Sequence, residues 1–268
     1  MQGAPLSAAA AGALIAATLL AGCASQSEDR TAGWSPNRIY AEANDEMTSN
    51  SYDKAIPLYE TLEGRAAGTP LAQQAQLDKA YAQYKDDQKP EAVATLDRFM
   101  RLHPTSPAMD YALYLKGVVN FNGNLGMFSF LTRQDLSERD QKAAKEAFQS
   151  FDELVKRFPD SRYTPDARAR MRYIVNSLAR YDVHVARFYY SRGAYVAAID
   201  RAQEAIKDYR DAPALQEALY ILVESYDKLG MTQLRDDAKR VLDQNYPNSA
   251  YLAKGFTTTT DKPWWRLW

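Results

Sequence analysis

The sequence predicts an all-α fold, a solenoid of about five stacked helix pairs. Three observations carry this. From residue 38 to about residue 253, apolar residues recur at helical spacing and no alternating run of strand type appears. The 12 prolines and 12 glycines fall mostly between the periodic segments. The same apolar stripe also returns several times along the chain, the mark of a repeat architecture.

The second helices of the pairs are the clearest elements. They begin with "SYDKAIPLYETL" (residues 51–62) and "KPEAVATLDRFMRLHPTS" (89–106). "AAKEAFQSFDELVKRFPDS" (143–161), "YVAAIDRAQEAIKDYRDAP" (195–213) and "QLRDDAKRVLDQNYPNS" (233–249) follow. Ala92, Leu96, Phe99 and Pro104 hold the same relative positions as Ala147, Phe151, Leu154 and Pro159. Ala55 stands to Pro70 as Ala198 stands to Pro213. A small residue lets the second helix approach the first, and a large one a turn later fills the groove beside it. The proline then ends the helix, because the residue before it is pushed out of the helical region. Pro57 lies inside its helix without an N–H and is expected to kink or loosen that turn. An amphipathic first helix precedes each, over residues 37–49, 71–85, 107–119, 165–191 and 214–229. The fourth is unusually long, which stretches the third and fourth pairs. Pairs at this spacing resemble tetratricopeptide repeats. One such pair cannot bury its own apolar face, so the pairs must stack.

The chain divides into six segments. Residues 1–22 carry no charged side chain, and no Lys or Arg precedes Arg30. The apolar run 8–22 is short for a membrane span and fits the core of a secretory signal. It lacks a basic start, so either the α-amine supplies the positive charge or Met1 is not the true start. It ends at "LAGC", whose Cys23 is the single cysteine. That tetrapeptide resembles the lipobox of bacterial lipoproteins, in which the cysteine carries a thioether-linked diglyceride and an acylated amine. Several acyl chains give stable anchoring where one is marginal. Ala24, rather than an aspartate, then points to the outer membrane. Residues 23–37 are polar and aperiodic and are expected to be a flexible tether. Residues 38–119 hold the first repeats and 138–253 the later ones.

Two segments interrupt the pattern. Residues 120–137, "NFNGNLGMFSFLTRQDLS", place Phe128 and Phe130 beside Gly123 and Gly126. Loops of this length are functional or disordered more often than not. The aromatics either cover the convex face of the solenoid or meet a partner. Residues 254–268 end in "PWWRLW". Trp264, Trp265 and Trp268 either contact a partner or headgroups, or fold back on the last helix.

Chemistry-bearing motifs are scarce. A net charge of −1 argues against nucleic acid, and a mean hydropathy of −0.50 excludes a multi-span membrane protein. One cysteine makes no internal disulfide or thiolate metal site. His103 occupies the repeat turn where other repeats have Phe158 or Tyr246, and His184 has no second histidine at i+4. There is no phosphate-binding glycine loop and no nucleophile elbow, so neither enzyme nor metal or other cofactor is expected. Asp86–Asp87 and Asp236–Asp237 adjoin basic residues as solvated faces. Arg162, Arg168, Arg170, Arg172 and Arg180 interleave with Tyr163, Tyr173 and Tyr181. About half of these arginines are expected to pair from helix to helix, the rest to suit a carboxylate-bearing protein partner.

Specific stretches narrow the reading. They are "NRIYAEA" (37–43), "DRFMRLHPTSPAMDYALYLKG" (97–117) and residues 139–201, which close on "RGAYVAAIDR". Together they resemble the BamD family of outer-membrane protein assembly factors. The resemblance implies five tetratricopeptide repeats, lipid-anchored at Cys23 to the periplasmic face of the outer membrane, within the β-barrel assembly machinery. It implies that the later repeats dock on the barrel subunit BamA, with Arg201 facing a carboxylate there and Arg192 and Tyr195 beside it. The alternative for Arg201 is an ion pair within its own repeat. The resemblance further implies a groove in the first repeats for unfolded outer-membrane proteins. Tyr40, Tyr81 and Tyr84 are expected to line it, with Ile39 and Ala43 in the core. Other Bam lipoproteins, BamC among them, complete the implied partners. The competing reading is a repeat lipoprotein that recruits cell-wall enzymes. It shares the anchor and repeats, but should lack "RGAYVAA" and the 120–137 loop.

Overall fold

The computed structural model describes residues 30–121 and 138–256. The leader with Cys23, the loop with Phe128 and Phe130, and the tail with Trp264, Trp265 and Trp268 lie outside the described residues. Five antiparallel helix pairs follow one another: α1 (Pro36–Thr48) with α2 (Tyr52–Arg65), α3 (Pro70–Lys85) with α4 (Lys89–Leu102), and α5 (Met109–Asn120) with α6 (Glu138–Arg157). The fourth pairs the 28-residue α7 (Thr164–Ser191) with α8 (Tyr195–Asp208), and the fifth α9 (Leu215–Lys228) with α10 (Thr232–Asn245). A short α11 (Ala250–Lys254) closes the described chain against α9.

Four of the pairs share one turn. Asn50, Asp87, Gly193 and Gly230 adopt positive φ at 57°, 60°, 74° and 69°. In each turn the next residue donates its N–H to a carbonyl five residues back: Ser51 to Glu46, Gln88 to Gln83, Ala194 to Tyr189, Met231 to Tyr226. This capping bond of a helix ending in a left-handed residue explains why Asn, Asp and Gly stand there. In the third pair the connection, residues 122–137, lies outside the described residues.

The small-then-large stripe packs as its spacing predicts. Ala55, Ala92 and Ala147 are fully buried, and so are Leu96 and Phe151 a turn later, with Tyr59 1% exposed. In the fourth pair the corresponding residues are Ala198, Ala202 and Ala205, and Tyr209 and Tyr226 fill the space. Close approach is most severe between α5 and α6. A Cβ on Gly117 would stand 2.4 Å from a Phe151 ring carbon. His103, Phe158 and Tyr246 each cap a second helix, and the His103 ring lies 5.2 Å from Phe99.

Pro57 lies inside α2, which continues to Arg65. Its ring faces solvent, so the Asp53 carbonyl that loses a partner lies on the wet side. One expectation is corrected, because the tether ends earlier than residue 37. Trp34 N–H bonds the Thr31 carbonyl at 2.9 Å, Thr31 is buried, and Trp34 packs against the first core cluster. Arg38 lies 4.3 Å over the Trp34 ring and Ser35 caps α1. An indole stacked under a guanidinium gives this polar stretch a reason to order.

Candidate functional site

The first helices α1, α3, α5 and α7 carry a continuous track of tyrosines and carboxylates. At its start the Tyr40 hydroxyl donates to Asp78 Oδ2 at 3.0 Å, joining α1 to α3. Gln74 donates to Asp78 Oδ1 at 2.9 Å. Tyr59 reaches back from α2 to Asn44 at 2.7 Å, its ring 6.2 Å from that of Tyr40. Burial pushes the Asp78 carboxyl above its ordinary range, and the bonds from Gln74 and Tyr40 only partly oppose this. The Tyr40 and Tyr59 phenols are raised too, by burial first and by the Asp78 charge second.

The track continues through α5. Burial first, and then the fields of Asp78, Tyr163, Tyr81 and Tyr114, raise the Tyr111 phenol. Its ring lies 5.6 Å from Tyr163, and Tyr114 stacks on Tyr163 at 4.7 Å. The Tyr114 hydroxyl donates to Asp166 Oδ2 at 2.9 Å. Arg170 donates to the same oxygen at 2.6 Å and lies 4.8 Å over Phe121, which meets Tyr173 edge-on. Burial opposes the Asp166 charge, but the bonds from Arg170 and Tyr114 outweigh it and hold this carboxyl below its usual range.

The expected groove residues divide. Tyr40 belongs to the track and is half-buried. Tyr81 is 37% exposed, one helical turn from Asp78. Tyr84 lies 6.5 Å from the Tyr81 ring and packs against the second core cluster. Ile39 and Ala43 are fully buried core. Asp78, Tyr111, Tyr163 and Asp166 were not expected as groove residues. Their partners lie in neighbouring pairs, 38 residues apart for Tyr40 and Asp78. The available signal was a Tyr or Asp recurring on successive first helices.

The arginine cluster does not pair from helix to helix as expected. Arg170 pairs with Asp166 on its own helix, Arg162 donates to the adjacent Tyr163 hydroxyl, and Arg180 to the Asn176 carbonyl. The i,i+4 partner lies within easier reach than the next helix. Arg168 and Arg172 are exposed.

The proposed docking residues lie on the fourth pair. Arg201 makes an exposed pair with Glu204 at 3.0 Å, and such pairs are weak in water. Arg192 sits at the turn, 5.1 Å over the exposed Phe188 ring. Tyr195 lies 5.6 Å from the Tyr190 ring. Beyond them, Phe256 lies 4.9 Å from both Tyr190 and Tyr220. Burial and Glu224 push the Tyr220 phenol up to about 12. The described chain therefore ends against first helices α7 and α9.

Among the described residues no group of His, Cys, Asp and Glu is arranged to hold a metal ion. No helix among them is long and apolar enough to cross a membrane.

Comparison with known proteins places this architecture. The family model described as "YfiO: Outer membrane lipoprotein" matches residues 33–242. The outer membrane protein assembly factor BamD of Neisseria meningitidis serogroup A is 49% identical over 238 residues, 89% of each chain. That of Neisseria gonorrhoeae is 46% identical over 257 residues, 96% of each. That of Vibrio cholerae is 38% identical, covering 87% of this chain and 96% of its own. With its five helix pairs and matches across most of its length, the chain belongs to the BamD family of outer-membrane protein assembly factors.

Proposed function

We propose that this chain is a lipid-anchored, non-catalytic subunit of the β-barrel assembly machinery. In this reading it scaffolds the barrel subunit and receives unfolded outer-membrane proteins on the first-helix face. The observation that carries the receiving role is the tyrosine–carboxylate track from Tyr40 to Arg170. Phenols and ring faces present both apolar area and hydrogen bonds, which suits extended polypeptides of varied sequence. Family membership supports the assembly role, and nothing favours the recruitment of cell-wall enzymes. A thioether lipid on Cys23 would hold the chain at the periplasmic face of the outer membrane. Other Bam lipoproteins are proposed as neighbours.

Docking on the barrel subunit is assigned to the fourth pair. Arg201 can exchange its weak exposed pair with Glu204 for a bidentate one with a partner carboxylate. Arg192 and Tyr195 stand at the adjacent turn. The test is co-purification from solubilised membranes with tagged protein. Arg201→Glu is expected to lower recovery of the barrel subunit at least about tenfold, the scale of losing a buried charged pair. Undiminished recovery would remove Arg201 from the interface. Recovery of cell-wall enzymes with no barrel protein would overturn the reading as a whole.

A further inference from the structure

Two carboxylates sit on the first-helix track, and they differ in one respect. Asp166 is paired with Arg170. Asp78 accepts from Tyr40 and Gln74, both neutral, and no cationic side chain among the described residues lies within ion-pair distance of it. Each bond uses one lone pair on a different oxygen. A carboxylate has about four such sites, so both oxygens keep room for another donor. Tyr40 meets it through its hydroxyl, and Tyr81 lies one helical turn further along α3, 37% exposed. Ring faces carry negative potential and attract cations, the more so where water is partly excluded.

We propose that Asp78, with Tyr40 and Tyr81, forms a subsite for a lysine or arginine side chain of the extended polypeptide bound on this face. This rests on the receiving role proposed above and gives it a specificity. An incoming ammonium or guanidinium gives the half-buried carboxylate the charged partner it lacks, through charge-assisted hydrogen bonds. A neutral side chain leaves it unpaired, and an acidic one meets like charge. Burial already raises the Asp78 carboxyl, so the charged form is held at a cost that a bound cation removes.

The test uses the full-length lipoprotein in detergent and fluorescent peptides from the strand segments of an outer-membrane barrel protein. Three versions differ only in their basic positions, which carry Lys or Arg, Gln, or Glu. Wild type is expected to bind the basic peptide about tenfold more tightly than the Gln version. Asp78→Asn keeps an acceptor for Tyr40. It is expected to melt no lower than wild type and to bind the basic and Gln peptides equally. Asp78→Lys is expected to prefer the Glu version. Equal binding of all three by wild type, or a basic preference that survives Asp78→Asn, overturns the subsite while leaving the receiving role intact. Failure of every peptide to bind overturns both.

Discussion

Replacing Glu63 with alanine is expected to destabilise the protein by about 3–5 kcal/mol, read as a lowered urea midpoint with an unchanged slope. Glu63 on α2 meets Lys79 Nζ at 2.8 Å and Arg98 at 2.7 Å, so one carboxylate ties α2 to α3 and α4. Lys79 is only 4% exposed. Removing its partner leaves an ammonium in the joint between the first two pairs, with neither water nor anion to balance it. The desolvation cost, rather than the lost contact, sets the size of the effect. Lys79→Met in the Glu63→Leu background should recover most of the loss, since apolar groups of similar volume can replace a buried pair. Arg98 is far more exposed, so Arg98→Ala should cost less than about 1 kcal/mol. Equal losses for Glu63→Ala and Arg98→Ala would contradict this ranking.

The second large effect concerns Gly117 and Phe151. Phe151→Ala removes a fully buried ring and should cost about 3–5 kcal/mol. Gly117→Ala works in the opposite sense, forcing a methyl to within 2.4 Å of that ring. Overpacking of this kind costs about 1–3 kcal/mol. The two sites share one space, so they should couple. Adding Phe151→Leu to Gly117→Ala is expected to restore stability relative to Gly117→Ala alone. Strict additivity in thermal unfolding would show that α5 and α6 do not meet as described.

Much of the solenoid was legible because its signals are local. A proline, a small residue and the large residue a turn later are read within one helix, and they located every second helix within a few residues. The shared turn was partly visible: Gly193 and Gly230 announce a left-handed residue, whereas Asn50 and Asp87 do so only by analogy. The end of the tether misled because Trp34 orders the last residues before α1 through Arg38 and the first core cluster. The candidate site was the least legible part. Tyr40, Tyr81 and Tyr84 were expected to line a groove in the first repeats through the resemblance. Nothing within its own helix marks Asp78, whose meaning comes from Tyr40 on another pair. About half of the arginines between Arg162 and Arg180 were expected to pair across helices, but Arg170 pairs with Asp166 one turn away. Contacts between repeats decide such roles, and periodicity within a repeat does not report them.

The most direct test of the receiving role is site-specific photocrosslinking in growing cells. A photoreactive phenylalanine analogue replaces Tyr81 on the first-helix face in one strain. In another it replaces Leu234, 47% exposed on the second helix α10. Position 81 is expected to capture newly exported, still unfolded outer-membrane proteins, and position 234 is not. Capture at position 234 alone, or at both positions equally, would contradict the assignment of the tyrosine–carboxylate face as the place where those chains are received.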